Sequence, residues 1–552
     1  MYTLFFNGRF YSHTAGFSEP EALLVRDGLI IARGSRAELE EQAAVSTSGA
    51  SSVHSSQVPV GTRNARASLV CIDVRGQYVL PGFNDAHIHV WKVGNLQTFL
   101  LDVRGVSSLD ELGQRLATAA AKLPDTTTWI LARGFNEAIW DRPELPTSRD
   151  LDQYVWGQPV HLMRTCAHIV VLNSAAVAAC GLTASTPVPV GGEIRQDQGG
   201  VLSGIITESA LGLVAAHIPA YTPEQYEAMI LAAEELLFSK GITSATDPAV
   251  HPELLQVYHK LNQEGRLRLR VNAIPILLPD GGLEPVSLPP LFDSSRLKVQ
   301  TAKLFADGGL SSQTAAIKRP YLSSKDAPLN FGVLRIPAST LQKLVFLARE
   351  QGYSMAIHAI GDLAIEQVLT VYEQADWQFK NTRPNRIEHL ELPHTRDLDR
   401  MEKLGIIAVM QPIFLRELGL NFRQTLDSSY LELLLPVKTL LRRGIVTAFS
   451  TDAPVVADLN PFQNIATAMT RADLSGQIFS PHEAVTAREA ISAYTLGAAQ
   501  GEYSSALKGS IVPGMYADLI FLDENPLAVI PEKLTKIHVT ATYLGGVCVY
   551  ES

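Results

Sequence analysis

Short apolar, β-branched runs alternate along this chain with stretches of helical apolar spacing, and five of the runs lead into a residue type able to ligate a metal. The first, residues 69–74 and 78–80, leads into Pro81-Gly82-Phe83-Asn84-Asp85-Ala86-His87-Ile88-His89. Lys303 falls within residues 297–309, His358 ends 353–358, His389 lies in 386–391, and Asp452 closes 445–452. Residues 339–351 and 362–375 carry the helical spacing between them. Parallel neighbours need a long crossover, usually a helix, so this alternation predicts an α/β fold with a parallel sheet. Enough such units predict a (β/α)8 TIM-type barrel. Polar residues at the C-terminal ends of barrel strands stand where catalytic groups belong.

His87 and His89 are two apart. On a strand they would share one face and present two imidazoles to one space, an arrangement that suits zinc. Two histidines without metal is the bland alternative for an isolated pair of this kind. The later Lys303, His358, His389 and Asp452 make a metal site assembled from several strands the simplest common explanation.

The ordered set HxH, Lys, His, His, Asp resembles the amidohydrolase superfamily. The words KLFADGGLSSQTAA, IHAIGDLAIEQVL, RIEHLEL and STDAPV resemble the branch containing N-substituted formamide deformylase and YtcJ-like proteins. The resemblance covers nearly the whole chain and is weakest over residues 38–68. Gly309 departs from it, since relatives often carry serine after Asp-Gly, which touches a substrate contact and not the metal site. The resemblance implies His87, His89 and Asp452 on a first zinc ion and His358 and His389 on a second. Lys303 would bridge the two as a carboxylated lysine. A bare ammonium has no lone pair, so Lys303 ligates only as a carbamate or when deprotonated; a one-ion site with Lys303 in another role is the alternative. Zinc would make water nucleophilic near neutral pH and polarise a carbonyl. By analogy, Asp452 is the catalytic residue, general base and then general acid; a helix N-cap is its structural alternative.

The implied activity is hydrolysis of a C–N amide-type bond in a formamide, N-acyl amine or N-acyl amino acid. A deaminase or a carbamate or ester hydrolase could use the same site, and a non-catalytic metal-binding carrier is the reading from another class. His168 lies in a stretch resembling one that reaches the family's pocket. Trp91, two past His89, would share its face and wall the site, or else join the core. Arg133 is a candidate for an anionic substrate group, with an ordinary ion pair as the equal alternative. Asp307 either orients Lys303 or a substrate, or forms a turn. Asn173 and Asp362 read as helix caps, and His394 and His482 as surface residues. A supporting hydrogen bond from Glu388 or Glu391, which flank His389, is not the favoured reading.

At 552 residues the chain is long enough for a large core and more than one domain. A net charge of −10 argues against nucleic acid or an anionic membrane as partner and leaves a small-molecule substrate. Cys71, Cys166, Cys180 and Cys548 are scattered without a CxxC, which suits a reducing, cytoplasmic setting. The N-terminus reads as a strand and a turn, and no apolar run reaches membrane-span length. A homodimer is a family-level expectation.

Strand patterns at residues 2–7, 22–26 and 29–33, with Asp27-Gly28 as a hairpin turn, recur at 517–523, 537–544 and 547–550. They predict one small β-domain built from both ends, residues 1–80 and 505–552; the resemblance implies a composite β-sandwich. Residues 81–504 form the expected barrel. Residues 44–68 read as a surface excursion. From His89 to Lys303 there are 214 positions, against 55 from Lys303 to His358 and 31 on to His389. With second and third strands at 242–247 and 267–274, the excess falls at about residues 100–225. That insertion leaves the first strand above the metal and reads as a lid or substrate wall.

Overall fold

The computed structural model describes residues 2–19, 21–48, 69–123, 125–165, 169–189, 192–207, 210–279, 282, 284–322, 328–379, 383–456 and 458–552. Strands from the two ends of the chain pair with each other. Tyr2–Ser12 pairs antiparallel with Glu21–Arg26 and parallel with Leu69–Asp73 and, farther along, Tyr78–Pro81. Tyr78–Pro81 then pairs with Leu519–Leu522, which continues to Val539–Leu544 and Val547–Glu551. With Gly16–Phe17 paired to Tyr2–Ser12 and Leu29–Gly34 paired to Glu21–Arg26, they make one nine-stranded sheet. Asp27 and Gly28 both adopt positive φ, the geometry of a two-residue hairpin turn, and Arg26 faces Leu29 across it. Phe5, Phe521 and Tyr543 pack ring to ring inside, with Phe5 5.0 Å from Tyr543. The excursion expected at 44–68 begins later than the sequence suggests: residues 44–48 belong to the helix Arg36–Ser48, and 49–68 lie outside the described residues.

The barrel strands are β1 (Phe83–Asp85), β2 (Ile242–Val250), β3 (Arg270–Pro275), β4 (Leu297–Val299 continuing as Thr301–Phe305), β5 (Ser354–Ala359), β6 (Arg386–His389), β7 (Ile407–Met410) and β8 (Thr447–Phe449). They form two parallel half-sheets, β1 to the first part of β4 and the second part of β4 to β8. The halves meet at two seams instead of one continuous ladder. At one, Leu277 N–H donates to Lys303 O at 3.0 Å beside the bridge between Ile276 and Lys303. At the other, Ala86 N–H donates to Phe449 O at 3.1 Å. The fold is α/β of the TIM-barrel type.

Helices follow where apolar spacing and caps coincide. Pro223–Ser239 starts with a Thr222/Gln225 capping box and proline in its first turn, and buries Met229, Ile230, Ala233 and Leu237. The helices expected at 339–351 and 362–375 occur as Ala338–Glu350 and Asp362–Gln378. Among the described residues no helix is long and apolar enough to cross a membrane.

Between β1 and β2 the chain builds a second, six-stranded sheet, running from Leu101–Asp102 to Leu202–Thr207. It has its own core, in which Leu112 and Leu116 of the helix Leu109–Ala120 pack on Phe135, Val160 and Leu162. Ser108 caps that helix by accepting from Glu111 N–H. Asn173 also caps as expected: it accepts from Ala176 N–H and, on the other side, from Val160 N–H.

Candidate metal centre

β1 stops at Asp85, so His87 and His89 stand in the turn after the strand and not on it as the spacing suggested. Asp85 accounts for the early stop. Its buried carboxyl accepts from Thr451 Oγ1 at 2.7 Å, Thr451 N–H at 3.2 Å and His87 N–H at 3.2 Å, tying the end of β1 to the end of β8. The two chains stay paired beyond the strands: Asp452 N–H donates to His87 O at 2.8 Å and His89 N–H to Ala453 O at 3.0 Å. Both histidines still reach one point. His87 Nε2 lies 3.5 Å and His89 Nε2 3.4 Å from Asp452 Oδ1.

Asp452 and His389 hold their side chains in place with left-handed backbones, φ 57° and 74°. Such conformations cost on the order of 1–3 kcal/mol each in residues other than glycine. The next described helix after Asp452 is Pro461–Thr470, capped by Asn460, so Asp452 is not a helix cap. Ligand atoms of His87, His389 and Asp452 all lie within 4.8 Å of one another. His358 adjoins this group, its ring 4.5 Å from that of His389. His389 therefore sits with the His87 and Asp452 group as closely as with His358.

One nitrogen of three of these imidazoles is already engaged, which fixes what the other offers. His87 Nδ1–H donates to Glu388, itself held by Arg386 Nε at 2.6 Å. His389 Nδ1–H donates to Gln411 Oε1 at 2.9 Å, and Gln411 in turn donates to Ser450 Oγ. His358 Nε2–H donates to Gly308 O at 3.1 Å. Glu388 is thus a supporting partner, against the sequence expectation. Its role is not legible locally because Arg386 and Glu388, at i and i+2, turn inward beneath the site at positions where a buried parallel strand carries apolar residues. Burial pushes His89 and His389 down to about 3 and His358 well below its usual value, leaving neutral imidazoles at pH 7. Burial alone would raise the Asp452 carboxyl, but the surrounding imidazoles outweigh it and hold the group far below the ordinary range.

Two buried polar atoms here have no hydrogen-bond partner, Asp452 Oδ1 and Lys303 Nζ. The Lys303 ammonium is completely buried, 4.6 Å from the Phe305 ring centroid, and burial pushes it down to about 8. Orphaned atoms of this kind cost free energy unless a ligand satisfies them. Neutral imidazoles, an ionised carboxylate and an uncompensated lysine fit a divalent ion of the zinc type.

Other expected contacts resolve differently. Trp91 sits in the first turn of the helix Val90–Thr98, so it does not share a strand face with His89; it packs on Tyr221, Tyr226 and His251. Arg133 lies on the strand Ile130–Phe135, with Nη1 3.6 Å from Met163 Sδ. His168 lies outside the described residues. Asp307 accepts from the amides of Ala316, Ile360 and Gly361 and so fixes the loops after β4 and β5. Asp362 is the first helical residue after the cap Gly361, not the cap, because its carboxylate takes His394 Nε2 and Tyr430 OH instead. That contact leaves the His394 side chain 35% exposed, a partnered residue at the surface, whereas His482 is 61% exposed.

The model of the Amidohydrolase family matches residues 70–550. YtcJ of Bacillus subtilis (strain 168) is 28% identical over 562 residues, covering 100% of both chains. N-substituted formamide deformylase of Arthrobacter pascens is 28% identical over 505 residues, 87% of this chain and 90% of that one. An uncharacterized metal-dependent hydrolase of Pyrococcus horikoshii OT3 superposes with a TM-score of 0.76 at 25% identity, over 96% of this chain and 99% of that chain. A match over this span, on a fold that gathers the ligand types at one end of the strands, assigns the chain: it belongs to the amidohydrolase family.

Proposed function

We propose that this protein hydrolyses a C–N amide-type bond, in a formamide, an N-acyl amine or an N-acyl amino acid, with zinc as its metal. The observation that carries the reading is the orphaned Asp452 Oδ1, set 3.4–3.5 Å from two imidazole nitrogens in a buried site beside the unpartnered Lys303. His87, His89 and Asp452 would hold one ion and His358 and His389 a second, with Lys303 as a carbamate between them. Bound zinc supplies a Lewis acid for the carbonyl and a lower pKa for water.

The chain's own residues do the rest. Asp452 takes the proton of the attacking water as the oxygen bonds to the carbonyl carbon. It then delivers that proton to the leaving nitrogen as the C–N bond breaks, so acid and amine leave with atoms balanced. Its depressed pKa keeps it ionised at neutral pH. Glu388 holds the His87 ring and Gln411 the His389 ring, so neither must reorient during turnover. The six-stranded sheet inserted after β1 is the proposed wall of the substrate pocket.

Elemental analysis of the purified protein, with a screen of formamides and N-acyl compounds, tests this. The expected result is about two zinc per chain, as in two-ion carboxylate-type sites, and release of amine. One zinc per chain would reassign Lys303. A protein that neither holds nor takes up metal would refute the reading.

A further inference from the structure

Glu391 stands two residues past His389, in the turn that follows β6. The residue is buried, its Oε2 is sealed from solvent without a partner, and its carboxyl makes no hydrogen bond or ion pair among the described residues. Main-chain contacts fix its place. Leu435 N–H donates to Glu391 O at 2.9 Å, and Leu392 N–H donates to Ile360 O at 3.2 Å. Ile360 N–H in turn donates to Asp307 Oδ1 at 3.1 Å, and that oxygen lies 3.5 Å from His358 Nε2. Glu391 is therefore held against the loop after β5, beside the half of the site that His358 and His389 form. Reaching this place takes two successive left-handed residues, His389 at φ 74° and Leu390 at φ 45°. Such backbone persists where the surroundings force it.

Nothing around Glu391 satisfies it. Asp307 already takes the amides of Ala316, Ile360 and Gly361. The Tyr321 hydroxyl, whose surroundings include Asp307 and Glu391, donates to Ala315 O at 2.9 Å. The charges that act on Glu391 are those of Asp307 and Asp452, both acids. A buried carboxyl without a donor costs the fold free energy, so packing does not account for it. A carboxyl offers an acceptor oxygen whether ionised or protonated, and a donor carried by a ligand satisfies it in either state.

We infer that Glu391 accepts a hydrogen bond from the N–H of the scissile amide, so that the enzyme prefers amides carrying an N–H to N,N-disubstituted ones. The inference rests on the hydrolytic reading above and adds to it the class of substrate that the site selects. Asp452 must reach the same nitrogen to protonate it, and Glu391 would hold that nitrogen with its lone pair turned toward Asp452. As the nitrogen takes this proton and the C–N bond breaks, its N–H becomes a stronger donor. The contact therefore tightens in the transition state, and Glu391 itself neither gains nor loses a proton.

The experiment compares N-alkyl formamides and N-acyl amines with their N-methyl counterparts, which lack the N–H, on zinc-loaded wild type, Glu391→Leu and Glu391→Gln. The reading is kcat/KM, or the inhibition constant where an N-methyl compound is not turned over. In E391L the value for N–H amides should worsen about tenfold to hundredfold, and that for N-methyl amides far less. E391Q keeps an acceptor oxygen and should retain most of the preference. Zinc per chain and the urea midpoint should not fall in E391L, because leucine removes an unpaired buried carboxyl. An E391L that worsens both compounds alike, changes neither, loses zinc or unfolds more easily would overturn the inference. If no compound is hydrolysed, the hydrolytic reading fails and binding decides, by calorimetric titration of the same pairs into zinc-loaded wild type and E391L. An N–H compound bound about tenfold more weakly by E391L, with its N-methyl partner little affected, would sustain the contact; equal losses, or no binding to either protein, would remove it.

Discussion

Both ends of the barrel bury charge, and they differ in what the charges are given to hold. At the N-terminal ends of the strands, facing the terminal sheet, Arg270 donates to both oxygens of Asp518 at 2.6 and 2.8 Å. Lys508 pairs with Glu502 and donates to Ser244 Oγ at 2.7 Å, and Lys298 donates to Ser504 Oγ at 2.7 Å. Apart from the amide oxygen of Asn84, the side-chain polar atoms of this cluster have partners. At the C-terminal ends, Lys303 Nζ, Asp452 Oδ1, Asp247 Oδ1 and Glu391 Oε2 have none. Buried charge that is fully paired serves the fold, and buried charge left unpaired is built for something that arrives later. The contrast separates structure from function inside one barrel without appeal to sequence relatives.

Substitutions at the two ends should therefore fail in different assays. The largest expected effect is Asp452→Asn, which keeps the shape and removes the base: turnover should fall by about 10²–10⁴ while elemental analysis still finds zinc. Near-normal turnover would place the proton transfer elsewhere. At the opposite end, Arg270→Met leaves the Asp518 carboxylate buried without its partner and should cost about 3–5 kcal/mol of stability, read by urea unfolding. Zinc bound per folded chain should not change; a loss of zinc there would erase the distinction between the ends. Glu388→Gln sits between the two kinds of effect, because it supports a ligand and also partners the fully buried Arg386. Zinc affinity, followed by chelator competition, should fall about 10–100-fold, a smaller change than at Arg270.

The same contrast explains what could be read in the sequence. Strand ends were legible because a parallel strand buried on both faces must be an apolar run, and a histidine, lysine or aspartate closing such a run is conspicuous. Thus Lys303, His358, His389 and Asp452 could be singled out, and so could an insertion at about residues 100–225, from the 214 positions between His89 and Lys303, though not its six-stranded sheet. Local periodicity failed where tertiary contacts take over. Asp85 ends β1 two residues before His87 by bonding to Thr451, 366 positions away, and no spacing rule sees that pair. Trp91 looked like a strand neighbour of His89 because the helix start at Val90 is hidden: His89 stands at the cap position without making a side-chain cap. Glu388 serves His87 from a strand that does not neighbour β1, and Gln411, past the end of β7, serves His389 on β6. Partners across strands are the part of a site that a single sequence withholds.

The smallest expected effect concerns the paired end alone and follows from the sign of one titration. Burial by itself would raise the Asp518 carboxyl, but the Arg270 charge and the hydrogen bonds from Arg270 and Gly545 together hold it below its usual value. A carboxylate depressed in the folded state contributes stability at pH values above its unfolded pKa, about 3.9, and loses that contribution as the pH falls through the folded value. Asp518→Asn has no such proton to take up. The stability gap between wild type and D518N should therefore be constant from neutral pH down to about 4 and narrow below it, where protonated Asp518 leaves Arg270 as unpaired as asparagine does. Urea unfolding of both proteins across that range measures the gap, and the groups they share cancel in the difference. A gap that stayed constant at the lowest accessible pH would mean that the pair holds the barrel to the terminal sheet by shape and hydrogen bonding, not by charge, and the paired end would then differ from the metal end in kind as well as in degree.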